Sequence, residues 1–172
     1  MIMELASDKK EKMKGVTGLS EYRLPYLQEA DTISLGRKIG ALLFPGAFIA
    51  LYGDLGTGKT TFTRALASGL GVKEDICSPS YNILMEYDDG RLPLYHFDAY
   101  RLKDVSELID IGYIDYCYNG GVVIMEWADK VEEALPRDRL DIHIIGSGTQ
   151  FRTMLFVPHG SSYTDILKET VI

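Results

Sequence analysis

The sequence predicts an α/β fold built on a mixed parallel and antiparallel central sheet. Three observations carry this. A short, wholly apolar run at residues 47–52 leads into a glycine-dense stretch and then into a helical repeat. Two strand-like runs flank the turn-forming Asp88-Asp89-Gly90-Arg91. Further short apolar runs, bounded by glycines, fill the C-terminal half. At 172 residues, 46% hydrophobic and 25% charged, the chain has the size and composition of one globular domain.

Residues 1–20 mix Lys9, Lys10, Lys12 and Lys14 with Glu4, Asp8 and Glu11. Without an apolar segment they are not a secretory signal, and a flexible extension is expected there, followed by a single domain over 21–172. Asp31 is the expected N-cap of a helix over 32–43, where Leu35, Ile39, Leu42 and Leu43 recur at helical spacing until Pro45-Gly46. Residues 47–52 read as a buried strand. Phe62, Ala65, Leu66 and Leu70 give a helix over 59–70, with Gly69 and Gly71 as stops. Residues 81–87 and 92–97 form a predicted hairpin. Asp104, three residues before Glu107, caps a helix carrying Val105, Leu108 and Ile109 that ends near Gly112. Gly120-Gly121 opens a buried strand at 122–125, closed by Glu126-Trp127. Strands at 140–145 and 151–157 surround Gly146-Ser147-Gly148, and 162–168 is a terminal helix.

The formal net charge is -7. Phosphate contacts need clustered cations, so this chain is a poor lone binder of DNA or RNA, and another subunit would have to hold a polymer. No apolar run reaches membrane-spanning length. Cys77 and Cys117 stand far apart, which predicts a reducing compartment, the cytoplasm, and no zinc or disulfide framework. His96, His143 and His159 are equally scattered.

The segment Gly53-Asp54-Leu55-Gly56-Thr57-Gly58-Lys59-Thr60 fits G-x-x-x-x-G-K-S/T without a gap. Glycines let the backbone wrap so that successive N–H groups face phosphate oxygens, and the helix that follows adds its positive dipole end. Lys59 is placed to neutralise the β- and γ-phosphates and the Thr60 hydroxyl to ligate Mg²⁺. Glu126, capping an apolar strand, stands where a second metal-holding acid belongs; the alternative is an ordinary strand-end carboxylate in water. Ser78-Pro79-Ser80-Tyr81 is either a phosphate-sensing switch or a Ser-Pro turn. Asp98 either orients an attacking water or caps a helix or pairs with Arg101. His96 reads as a packed strand histidine, and Trp127 as a lid, a partner anchor or core.

In order along the chain, GDLGTGKTT from Gly53, SPSY from Ser78, YHFDAYRL from Tyr95 and EW at Glu126 together resemble the TsaE (YjeE) family of bacterial ATPases. The likeness runs over about residues 31–145 and includes DVSELIDIGYIDY from Asp104. It implies a three-layer P-loop NTPase fold with a mixed sheet. It further implies an ATPase required for threonylcarbamoyladenosine in tRNA, acting with TsaD and TsaB, the tRNA being held through those partners. Carried over by motif, Gly53, Leu55, Gly56, Thr57, Gly58, Lys59, Thr60 and Thr61 bind ATP phosphates. Thr60 and Glu126 hold Mg²⁺, Lys59, Asp98 and Glu126 act in hydrolysis, and Ser80 belongs to the switch segment. The family usually has threonine where this chain has Ser80.

Two other readings share the fold. A small-molecule kinase needs arginines to clamp the transferring phosphate, and among the eight arginines only Arg64 lies near the loop helix in sequence. A nucleotide-gated binding module needs no hydrolytic acid, whereas Glu126 and Asp98 argue for one. The absence of an N-K-x-D segment after the loop speaks against a guanine switch.

Overall fold

The computed structural model describes residues 11–14, 20–77, 82–146 and 151–171. In chain order the elements are β1 (Glu11–Lys14), β2 (Ser20–Leu27), α1 (Glu29–Leu42), β3 (Phe48–Tyr52), α2 (Lys59–Leu70), β4 (Leu84–Tyr87) and β5 (Leu94–Asp98). They continue with α3 (Val105–Asp110), α4 (Tyr113–Tyr118), β6 (Val122–Glu126), β7 (Arg139–Ile145), β8 (Arg152–His159) and α5 (Ser161–Thr170). The strands form one sheet in the order β1-β2-β8-β7-β3-β6-β5-β4.

Its centre is parallel: β3 pairs with β6 and β7, and β6 with β5. Its flanks are antiparallel, through β4–β5, β7–β8, β8–β2 and β2–β1. Every residue of β3, β5 and β6 is buried, which a parallel strand covered on both faces requires. On one face Leu35 and Ile39 of α1, Phe62 and Leu66 of α2, and Tyr163 and Leu167 of α5 pack with Ile49, Leu51, Ile124 and Ile142. On the other, Leu108 of α3 and Tyr113 of α4 pack with Phe48, Ala50, Phe97 and Met125. The result is three layers, helix–sheet–helix, the arrangement that the family resemblance implies.

Glycines set the spacing between α1 and α2. A Cβ on Gly40 would lie 2.0 Å from the Leu66 carbonyl oxygen, and one on Gly69 only 2.1 Å from that of Arg37. Gly69 is therefore a close-approach residue inside α2 and not a stop. Gly71 does end the helix, in the left-handed conformation (φ +92°), with its N–H donating to Ser68 O.

The predicted strands and helices occur at or within a few residues of their expected limits, with instructive shifts. α1 begins at Glu29 because Gln28 is its cap; Asp31 lies a turn inside and accepts from the Gln28 N–H at 2.9 Å. Asp104 does cap α3, accepting from Ser106 N at 2.8 Å. The sequence reading lacks β2 and α4. β2 contains Pro25, Tyr26 at φ +59° and a register irregularity between Leu24 and Leu27. α4 is too short to show a helical period. β1 falls in the stretch expected to be an extension and pairs with β2. The turn at Ser147-Gly148 lies outside the described residues.

Helix propensity alone predicts that Gly69→Ala stabilises α2 by about 1 kcal/mol. The close approach reverses that sign. Gly69→Ala is expected to destabilise by about 2 kcal/mol or more, read as a lower urea midpoint. An unchanged or higher midpoint would contradict this packing.

Candidate functional site

β3 ends at Tyr52, and the chain turns through Gly53–Gly58 into α2. Gly53 has φ +147°, and a Cβ there would lie 2.5 Å from Ile144 O on β7 and 2.7 Å from Thr57 Oγ1, so no larger residue fits. The loop is braced from within by Thr57, whose Oγ1 donates to Asp54 O at 3.0 Å. From outside, Arg152 Nε on β8 donates to Thr57 O at 2.9 Å. Gly58 is the left-handed cap of α2. The amides of the helix's first turn lack intrahelical acceptors, which makes this end a natural anion site.

Lys59 is 4% exposed and is turned back on its own loop. Its Nζ donates to the carbonyls of Gly53 and, at 2.9 Å, of Asp54. The same ammonium lies 3.7 Å from the centroid of the Trp127 ring, a cation–π contact. Burial lowers its pKa below the usual lysine value, against the upward pull of Glu126, Asp129, Asp98 and Asp54. Trp127 itself takes φ +58°, an uncommon conformation for a bulky residue, and its ring meets Tyr100 at 4.8 Å.

Behind the loop stands Glu126, 2% exposed. Its Oε2 accepts from Thr60 Oγ1 at 2.9 Å, and its Oε1 accepts from Thr63 Oγ1 at 2.9 Å and lies 2.9 Å from His96 Nε2. Burial alone would raise its pKa. The hydrogen bonds from His96, Thr63 and Thr60 outweigh burial and hold the carboxyl below its ordinary value. Asp98 is level with Glu126 in the β5–β6 register, one strand away, and accepts from Tyr100 N at 2.9 Å.

Leu55, Gly56, Gly58, Lys59, Thr60, Thr61, Asp98 and Glu126 thus line one cleft of about 390 Å³ at the C-terminal edge of the parallel strands. Gly53 and Thr57 underpin the loop. Ser80 and the rest of residues 78–81 lie outside the described residues. Tyr100, Arg101 and Trp127 complete the lining. Arg64, the arginine near the loop in sequence, lies within α2 and donates from Nε to Ile76 O beyond the helix's far end, whereas Arg101 lines the cleft and Arg152 braces the loop. His96 and Thr63 were not read as site residues, and nothing in their local spacing marks them; only the β5–β6 register and one further turn of α2 bring them to Glu126.

Among the described residues no group of three His, Cys, Asp or Glu side chains could hold a metal ion by itself. The pairing of one hydroxyl with one carboxylate, at the mouth of an anion-binding loop, is the donor set suited to Mg²⁺, which keeps waters and borrows phosphate oxygens. Nor is any helix among the described residues long and apolar enough to cross a membrane.

A parallel-centred sheet, a glycine loop opening onto a helix, and a lysine, a threonine and a strand-end acid gathered there define the P-loop class of α/β proteins. Comparison with known proteins narrows the class. The profile of the family described as threonylcarbamoyl adenosine biosynthesis protein TsaE matches residues 26–154. A tRNA threonylcarbamoyladenosine biosynthesis protein TsaE from Bacillus subtilis is 42% identical over 139 residues, covering 81% of this chain and 87% of that one. One from Treponema pallidum is 41% identical over 114 residues, 66% of this chain and 84% of its own. The crystal structure of Bacillus subtilis YdiB superposes with a TM-score of 0.74 at 34% identity, covering 88% of this chain and 95% of that one. The chain belongs to the TsaE family, and its place is in the biosynthesis of threonylcarbamoyladenosine in tRNA.

The depressed value of Glu126 has a consequence for folding. A carboxyl whose folded pKa lies below its ordinary value near 4.5 contributes stability above that pH and loses it as pH falls through the folded value. Urea midpoints of the wild type and Glu126→Gln, compared from about pH 6 to about pH 3, should therefore converge below about pH 4.5. A pH-independent gap would mean that the carboxylate is not held in its ionised form.

Proposed function

We propose that this chain is a Mg²⁺-dependent ATP hydrolase whose turnover supports the TsaD–TsaB pair during threonylcarbamoyladenosine synthesis in the cytoplasm. The observation that carries the reading is the contact of Thr60 Oγ1 with Glu126 Oε2 at 2.9 Å, directly beneath the glycine loop. A buried carboxylate, a loop hydroxyl and a lysine ammonium gathered in one cleft are the groups that a metal-assisted reaction of a nucleotide's terminal phosphate uses.

In this reading the amides of Gly56, Gly58, Lys59, Thr60 and Thr61 receive the ATP phosphates. Lys59 leaves the carbonyls of Gly53 and Asp54 and exchanges two neutral acceptors for phosphate oxygens, giving stronger charge-assisted bonds. The Trp127 ring supports the ammonium along the way. Thr60 Oγ1 and Glu126 Oε2 would hold Mg²⁺, which when bound neutralises charge on the transferring phosphate. Asp98, beside Glu126 in the sheet, is the remaining carboxylate of the cleft and orients the attacking water, accepting its proton. The net charge of -7 leaves the holding of tRNA to the partners.

The test is phosphate release from γ-labelled ATP by the chain alone and with TsaD and TsaB. The expected outcome is slow release alone, a clear rise with the pair, and label found only as free phosphate. Label on a small-molecule acceptor would make the chain a kinase, and normal turnover with no response to the pair would remove the partner role.

Lys59→Ala and Glu126→Gln should each lose hydrolysis by about 100-fold or more, as for groups acting directly on the transferring phosphate and its metal. Asp98→Ala should lower kcat by about 100-fold while ATP affinity stays within about threefold. Loss of ATP binding in Asp98→Ala would make that residue structural or a metal ligand.

A further inference from the structure

His96 is wholly buried in the middle of β5, on the face that α2 covers. Apolar side chains surround that layer, among them Leu94, Ile124 and Phe62. An imidazole there is costly unless both nitrogens find partners. Only Nε2 does, at 2.9 Å from Glu126 Oε1; Nδ1 is buried with no hydrogen-bond partner among the described residues. Since an ionised carboxylate only accepts, the bond requires a proton on Nε2.

The three donors around Glu126 are not equivalent. Thr60 stands at the mouth of the loop and donates its one hydroxyl proton to Oε2, the carboxylate oxygen that faces the cleft. Thr63 also has one hydroxyl proton, and its Oγ1 lies within reach of two acceptors, Glu126 Oε1 at 2.9 Å and Lys59 O at 3.1 Å, so it can serve only one at a time. The Lys59 carbonyl, one helical turn earlier, is a natural acceptor for a helix threonine. His96 Nε2–H has Glu126 alone. Of the two donors to Oε1, it is the one with no competing acceptor.

We infer that His96 is a positioning residue, whose Nε2–H pins Glu126 Oε1 and so leaves Oε2 directed at Thr60 and the cleft for Mg²⁺. The inference rests on the Mg²⁺–ATP reading of the site and extends it to a residue that touches neither nucleotide nor metal. Removing such a supporting hydrogen bond typically weakens metal affinity or activity by about 10–100-fold without removing a ligand.

The experiment compares His96→Phe, which keeps an aromatic ring and loses the N–H, with His96→Gln, whose side-chain amide returns a donor at similar reach. Affinity for a non-hydrolysable ATP analogue is measured by calorimetry with and without Mg²⁺, alongside melting temperature. For His96→Phe, the melting temperature should fall by a few degrees, as expected on removing one donor from a buried carboxylate, and affinity without Mg²⁺ should match the wild type, while the gain on adding Mg²⁺ falls by about tenfold or more. His96→Gln should restore most of that gain. Equal Mg²⁺ gains in the wild type and His96→Phe would overturn the inference, as would a wild type indifferent to Mg²⁺. If His96→Phe does not fold, His96→Asn replaces it: its shorter amide cannot reach Oε1, and a full Mg²⁺ gain in that variant likewise overturns the inference. Because binding is the readout, a chain that binds Mg²⁺–ATP but releases no phosphate would sink the hydrolase proposal and leave this one standing.

Discussion

The carboxylate of Glu126 holds the site together. It is almost completely removed from water, and an unpaired charge in such a place would be strongly destabilising. Three side chains from two elements satisfy it: Thr60 and Thr63 on α2, and His96 on β5. They come from two levels of the fold. The helix delivers two hydroxyls three residues apart to one face, and the parallel register delivers the imidazole. The carboxylate therefore ties the loop helix to the sheet, and the loop's position depends on that tie.

The same economy appears at Lys59. Glu126, Asp129, Asp98 and Asp54 offset part of the cost of burying its ammonium, and two loop carbonyls accept its hydrogen bonds. The glycine loop cannot collapse onto these groups, because Gly53 is wedged against β7 and Thr57 is held by Arg152 from β8. The antiparallel flank of the sheet thus braces a loop that belongs to its parallel centre. α2 in turn is fixed by glycine-mediated contact with α1, so its N-terminus is set by packing on two sides.

Much of this was legible in the sequence because it is local. Glycines bound α2 at both ends, and continuous apolar runs mark β3 and β6; each signal lies within a dozen residues. Lys59, Thr60, Asp98 and Glu126 were readable from motif and strand-end position, and the structure brings all four to one cleft. What escaped was what the fold assembles. His96 and Thr63 look like ordinary strand and helix residues until the β5–β6 register and the α2 face place them at one carboxylate. Arg152 reaches the loop from β8, nearly a hundred residues along the chain. β2 was hidden by Pro25, a poor strand residue tolerated at a bulge, and α4 by its brevity. Capping and close approach use the same residue types, so local sequence alone assigns Asp31 and Gly69 the wrong role.

The most direct test of the account is a crystal structure of the chain with a non-hydrolysable ATP analogue and Mg²⁺. The β- and γ-phosphates should lie against the amides of residues 56–61, with Lys59 Nζ moved from the Gly53 and Asp54 carbonyls onto phosphate and Mg²⁺ beside Thr60 and Glu126. An analogue bound elsewhere, or one bound in this cleft with Lys59 still on its own carbonyls, would contradict it.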